Sequence, residues 1–186
     1  MALSAACQDL QFPGGEVVDG ADLIMLPLQS GTPAPPAATF YVVNSRMVSR
    51  ALRHPDNVLT LFADVEFPPG SLAMLNGIPV GPDDSVLVTV TPEAGLYGVA
   101  VHPADLEFSA TARPRLTLSY ARYGDLSAGP ASGRYPDAAS YAAALDLWRE
   151  TGLDRWTPAV QSAATGSDAV TARLVRGGSL VAAAPR

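Results

Sequence analysis

The stretch Val58-Leu59-Thr60-Leu61-Phe62-Ala63-Asp64-Val65-Glu66-Phe67-Pro68-Pro69-Gly70 decides the fold class of this chain. Its later part alternates apolar residues with acidic ones: Ala63, Val65 and Phe67 face one way, and Asp64 and Glu66 face the other. A period of two predicts a β-strand with one face buried and the other in water. The two prolines cannot donate a hydrogen bond to a sheet, so the strand is predicted to end at Phe67.

The same kind of pattern recurs along the chain. Short runs rich in Val, Leu, Thr and Tyr are separated by the 17 prolines and 16 glycines. The predicted strands are 39–43, 47–52, 58–67, 85–90, 99–101, 115–120, 144 onward, 156–160, 169–175 and 179–183. Such runs are typical of an all-β, antiparallel β-sandwich, here of about nine short strands with at most one short helix.

Residues 137–150 fit both a helix and a strand. Their alanine content and Asp137 as a possible N-cap favour a helix. The order Leu145-Asp146-Leu147-Trp148-Arg149 alternates like a strand instead. The sequence therefore predicts a short helix or turn at 137–143, followed by a strand from about residue 144.

The overall composition excludes several classes of protein. The 186 residues suit one domain, and 48% hydrophobic against 16% charged residues excludes a mainly disordered chain. The net charge of −6 argues against nucleic acid as a partner. No apolar run reaches the length of about 20 residues that a membrane helix needs.

Cys7 is the only cysteine, and the small residues before it resemble a bacterial lipobox, whose cysteine receives a diacylglycerol group. On that interpretation residues 1–7 are the remnant of a lipoprotein signal, and Gln8 favours delivery to the outer membrane, facing periplasm or exterior. Residues 8–38 form a flexible, proline-rich tether in which 21–26 could instead pair as an edge strand, and 39–186 form the sandwich domain. The alternative for Cys7 is an ordinary buried cysteine.

The segment 64–72, with its Val, Pro-Pro-Gly and Leu, resembles the strand and turn of ZU-five domains, which occur in ankyrins, zonula occludens scaffolds, netrin receptors and bacterial secreted proteins. Further segments follow in that family's order, although Asp105 stands where glycine is usual: 85–90, 102–108, 114–120, 147–149, 155–158 and 172–184. The resemblance covers about 58–184. It implies a β-sandwich that serves as a non-catalytic structural or protein-interaction module.

Few residues suggest chemistry. His54 and His102 each precede a proline without a motif partner, which predicts surface-loop histidines. Asp83-Asp84 is interpreted as a turn, and the pair Asp64 and Glu66 as a solvated strand face. The arginines after residue 120 are spaced singly and predict no patch. No catalytic residue, metal site or cofactor is predicted.

Two alternatives to this interpretation stay open. Trp148 and Trp156 could form a platform on which sugar rings stack, although packing across a hairpin is favoured. Some ZU-five domains cut their own backbone at a His-Phe-Ser sequence, and 177–179 is the matching place. Ser179 is present there, but Arg176 and two glycines replace the His-Phe approach, which disfavours self-cleavage.

The sequence therefore predicts a non-catalytic domain of an envelope lipoprotein. Its expected contacts are an unknown protein partner and the membrane through a lipid on Cys7. Neither nucleic acid nor a small-molecule ligand is expected.

Overall fold

The computed structural model describes residues 16–166 and 168–186, and this part of the chain is built from strands. The strands are β1 Val18–Asp19, β2 Leu23–Met25, β3 Ala38–Val43, β4 Val48–Arg53, β5 Leu61–Phe67, β6 Leu72–Leu75, β7 Ile78–Pro79, β8 Ser85–Pro92, β9 Gly98–His102, β10 Glu107–Phe108, β11 Arg115–Ser119, β12 Asp146–Gly152, β13 Arg155–Pro158, β14 Val160–Ala164, β15 Ala169–Arg173 and β16 Gly178–Pro185. Two short α-helices are present, α1 Ala128–Ala131 and α2 Ala138–Ala143, and Gly20–Asp22 forms a single 3-10 turn.

The strands form three antiparallel sheets. The largest follows the order β1-β13-β12-β16-β9-β8-β3, with β2 pairing β16 beyond the end of β9. The second sheet has the order β14-β15-β11-β5-β4, and the third is the small sheet β10-β6-β7. The predicted all-β, sandwich-like fold is confirmed. The sixteen described strands exceed the expected nine because several have only two to four residues, too few for a readable period.

The main core lies between the two large sheets, and the alternation in the sequence accounts for it. In β5, Ala63, Val65 and Phe67 are buried while Asp64 and Glu66 are partly exposed, as predicted. The strand ends at Phe67, and Gly70 then turns the chain with a left-handed φ of 72°.

The N-terminal boundary of the domain differs from the prediction. Residues 16–38 were expected to belong to a flexible tether, but Leu23, Ile24 and Leu26 are buried, and β2 pairs with β16. The alternative, a strand within 21–26, is what the structure contains. Burial of each of these three side chains contributes about 1.5–3 kcal/mol to the attachment of the segment to the sandwich.

The helix and strand predicted across 137–150 are both present. The Asp137 carboxylate accepts a 2.7 Å hydrogen bond from the Ser140 backbone N–H and so caps α2, after which β12 begins at Asp146. Within the described residues, neither helix is long and apolar enough to cross a membrane.

Candidate functional site

The two tryptophans of the proposed sugar platform are buried, which corrects that interpretation. Trp148 is 2% exposed and Trp156 is 7% exposed, on neighbouring strands β12 and β13. With Val18, Leu23, Val181 and Ala183 they form a second apolar cluster on the outer face of the large sheet. The Trp148 indole N–H donates a 3.1 Å hydrogen bond to the Ala183 carbonyl. A ring must present an open face to stack on a sugar, and neither does.

His54 is fully buried, not in a surface loop as predicted. Its Nδ1 donates a 2.8 Å hydrogen bond to the Pro33 carbonyl oxygen, and its ring packs edge-on against Phe62 and Tyr123, with centroids 5.3 and 4.7 Å away. The Nε2 atom has no hydrogen-bond partner in the described structure. The turn-prone His-Pro pair misled the prediction because the ring lies inward between aromatic side chains.

Asp56, two residues later, is the most heavily hydrogen-bonded carboxylate described. It accepts bonds from the Thr60 hydroxyl at 2.6 Å, the Thr60 N–H at 2.9 Å and the Tyr123 hydroxyl at 2.8 Å. The Thr60 hydroxyl, more than any other group, holds the pKa of this carboxyl well below its usual range. A carboxylate that stays ionised in this way is a poor general base. Its hydrogen bonds instead hold the loop 56–60 in place and join it to Tyr123.

The other acidic pairs are also structural. Partial burial raises the pKa of Asp64, and the charge of Glu66 raises it further. Glu66 itself is bound to Arg115, with 2.7 Å between Oε2 and Nη2. Asp84 accepts a 2.7 Å bond from the Gly81 N–H and closes the predicted turn. Among the described residues no three His, Cys, Asp or Glu side chains converge to hold a metal ion.

Ser179 lies on the outer face of the large sheet, directly opposite Ala100 in β9. Because side chains alternate along a strand, His102 shares that face, one diagonal step from Ser179. In the described structure no hydrogen bond joins the Ser179 hydroxyl to an imidazole. His54 packs on the inner side, against core residues of the sandwich. The arrangement lacks the bonded base that an activated serine needs.

Comparisons with models of known protein families, with curated proteins and with solved structures found no match. The resemblance to ZU-five domains therefore stays a prediction, as do the interaction role, the lipid anchor and the envelope location. The proposed lipidation site, Cys7, lies outside the described residues.

An exposed apolar pair marks one edge of the large sheet. Tyr41 in β3 lies directly opposite Leu87 in β8, and the two side chains are 63% and 49% exposed. Beside them Thr39 and Thr89 share a 2.9 Å hydrogen bond between their hydroxyls. We call this surface the β3 edge. It consists of the outer face of β3 and β8 together with the open side of β3.

A basic cleft lies at another margin of the sandwich, where the chain passes from β13 to β14. Its volume is about 410 Å³. Arg149 and Arg173 line it, together with Thr157, Gln161 and the apolar residues Pro158, Ala159, Val160, Leu174, Val175 and Leu180. Singly spaced arginines gave no hint of this site, because four separate segments of the chain bring its lining together.

Proposed function

We propose that this chain is a non-catalytic protein-interaction domain of a bacterial envelope lipoprotein, and that it binds an extended segment of its partner at the β3 edge. The observation that carries this proposal is the exposed Tyr41–Leu87 pair beside an unpaired strand. The lipobox pattern ending at Cys7 supports the location in the envelope.

The open side of β3 has the chemistry of a strand acceptor. Among the described strands β3 pairs only with β8, so its other side presents unpaired backbone groups. Most proteins protect such an edge with charged residues or prolines. The sequence Ala-Thr-Phe-Tyr-Val-Val over Ala38–Val43 contains neither. An incoming strand would gain main-chain hydrogen bonds and bury apolar surface.

The charge of the domain indicates the kind of partner segment. A net charge of −6 disfavours pairing with a second copy and favours a neutral or basic segment. Apolar side chains at alternate positions of that segment would contact Tyr41 and Leu87 on the outer face.

The interaction can be tested by placing a photoreactive benzoylphenylalanine at position 41 in the protein expressed in its native host. Illumination is expected to give one discrete adduct, whose partner peptide maps to an extended segment. Leu87→Lys should abolish it because a charge then replaces the apolar neighbour. The matched control places the photoreactive residue at Leu153, which is 96% exposed in the turn between β12 and β13.

The outcomes separate the possible occupants. An adduct with a second copy of the chain would show that the β3 edge mediates self-association and does not bind a different protein. Equal adducts from positions 41 and 153, or none from position 41, would reject the β3 edge as the binding surface.

The envelope assignment has its own test. Intact mass of the native protein should show loss of the residues before Cys7 and gain of acyl chains, both absent in Cys7→Ser. An unmodified chain that begins at Met1 would contradict the lipid anchor without affecting the crosslinking result.

A further inference from the structure

The basic cleft holds a half-buried arginine in an unusual position. Arg149 lies in β12 directly opposite Leu180 of β16 and Thr157 of β13. Leu180 belongs to the main core, so the stem of Arg149 projects on the inner side of the sheet, at the margin where the two large sheets separate. Its one described hydrogen bond is long, 3.4 Å from Nη1 to the Glu150 carbonyl oxygen.

The surroundings of Arg149 disfavour its positive charge. Burial lowers the pKa of its guanidinium, and the positive charge of Arg176 lowers it further. Arg173 also lines the cleft but is itself exposed, and the one described hydrogen bond of its guanidinium is 3.4 Å long, to the Arg113 carbonyl oxygen. The Nε of Arg113 is itself buried without a partner in the described structure.

None of these arginines forms an ion pair within the described residues. The three described pairs join other arginines to acids: Arg115 to Glu66, Arg122 to Asp56 and Arg155 to Asp19. Glu107 faces Arg176 through a backbone bridge and Glu150 follows Arg149, yet neither carboxylate comes within 4 Å of these guanidinium groups. The chain has 18 acidic residues for 12 arginines, so a shortage of acids does not explain the unpaired cluster.

An unpaired, partly buried charge is unfavourable, because the guanidinium loses water without gaining an anion. The cost is offset when an anion enters. Arginine suits this role, since its planar fork of N–H donors matches the two oxygens of a carboxylate. Apart from Thr157 and Gln161, the rest of the cleft is lined by aliphatic side chains and the ring of Pro158, so a ligand should carry an apolar body beside its charged group.

We propose that this cleft is a binding site for a small carboxylate with a compact apolar body, held by Arg149, with Arg173 as the exposed basic residue of the lining. This site is separate from the β3 edge and goes beyond the proposed interaction function. It also departs from the expectation, drawn from the sequence, that no small molecule is bound.

The test uses N-acetyl-leucine as the probe, titrated into the ¹⁵N-labelled full chain and followed by NMR. The amide signals of Leu174 and Val175 are expected to shift in a saturable manner. N-acetyl-leucine amide, which lacks only the negative charge, should leave them unchanged. Arg149→Gln should weaken binding by about tenfold or more, the loss expected for a charged hydrogen-bonded pair. Arg46→Gln removes the same charge from an exposed turn and should bind like the parent chain.

Inorganic phosphate forms a second arm. Phosphate binding that is followed at Leu174 and Val175 and is weaker than that of N-acetyl-leucine supports a site that recognises both the charge and the apolar body. Equal or stronger binding of phosphate would overturn the carboxylate assignment, and equal binding of the uncharged amide would overturn the role of Arg149. No shift with any probe would reject the site.

Stability provides a readout that is independent of ligand choice. Arg149→Met keeps the volume of the side chain but removes the buried charge and its repulsion from Arg176. If the arginine is kept for binding and not for folding, this variant should show a higher Tm and lose N-acetyl-leucine binding. A lower Tm would show that Arg149 supports the fold and would contradict the proposal.

Discussion

The imidazole Nδ1 of His54 lies 2.8 Å from the carbonyl oxygen of Pro33. This bond joins the segment that precedes β3 to the end of β4, and it is made inside a group of aromatic rings. Because the ring of His54 is fully buried, the contact fixes the 27–37 segment to the sandwich in a way that proline content alone would not predict.

His54→Ala is expected to lower the free energy of unfolding by about 2–4 kcal/mol, because it removes a buried ring and leaves a cavity. His54→Phe keeps a ring but loses the donor to Pro33, and should cost less. Urea unfolding measures both values. A His54→Ala cost below about 0.5 kcal/mol, typical of an exposed site, would contradict the buried position.

Asn44 offers a second test of a buried polar contact. Its Oδ1 accepts a 2.9 Å bond from the Leu72 N–H, and its Nδ2 donates 3.1 Å bonds to the carbonyls of Leu72 and Gly81. Asn44→Ala removes these three bonds from partly or fully buried backbone groups, of which Gly81 keeps a bond from the Asp84 N–H, so we expect a loss of about 2–3 kcal/mol in urea unfolding. Ser45→Ala, in the adjacent exposed turn, is the control and should change stability little. Equal effects of the two substitutions would refute this role for Asn44.

Asp56 predicts an acid-dependent loss of stability. Its folded pKa is depressed chiefly by the Thr60 hydroxyl, so the stabilisation is present above the unfolded pKa of about 4 and is lost as pH falls through the folded value. Thr60→Val should raise the carboxyl pKa of Asp56 and reduce this dependence. Carboxyl ¹³C titration and urea unfolding from pH 7 downward measure the two effects. Thr39→Val, which removes a hydroxyl from the β3 edge, should leave the Asp56 titration unchanged.

The buried tryptophans predict that no sugar binds through them. Trp148→Ala is expected to cost about 3–5 kcal/mol, while Trp148→Phe should cost less because most of the apolar volume is kept. Tryptophan fluorescence should resist acrylamide quenching and should not change when chito- or cello-oligosaccharides are added. A saturable change in emission with an oligosaccharide would restore the platform interpretation.

Ser179 is expected to stay uncleaved. Although His102 shares its face, no described hydrogen bond links the two side chains, so the hydroxyl lacks an engaged base. Intact mass after prolonged incubation should show one undivided chain, identical in behaviour to Ser179→Ala apart from the mass of the oxygen. Fragments that meet between Gly178 and Ser179, and that disappear in both Ser179→Ala and His102→Ala, would establish self-cleavage instead.

The sequence predicted the strands that have one face in the core. In β8, Val86, Val88 and Val90 are buried as their alternation indicates, and in β11 the same holds for Leu116 and Leu118. Capping chemistry at Asp137 likewise predicted α2. These signals are local, because each depends on residues a few positions apart.

The missed features depend on distant partners. In β2 both Leu23 and Ile24 are buried, one against each face of the large sheet, so no alternation marks the strand. The burial of His54 depends on Pro33 and Tyr123, which lie 21 and 69 positions away. The cleft that Arg149 and Arg173 line likewise arises from tertiary structure and leaves no pattern in sequence spacing.

The strand order of the large sheet places the β3 edge far from the first described strand. β1, the first described strand, lies at one margin, and β3 lies at the other, six strand spacings or about 29 Å across the sheet. A partner strand that adds to the open side of β3 would extend the sheet at the margin opposite β1. Such a strand would leave the pairing of β1 with β13 untouched, so the sheet could lengthen without rearrangement of its N-terminal margin.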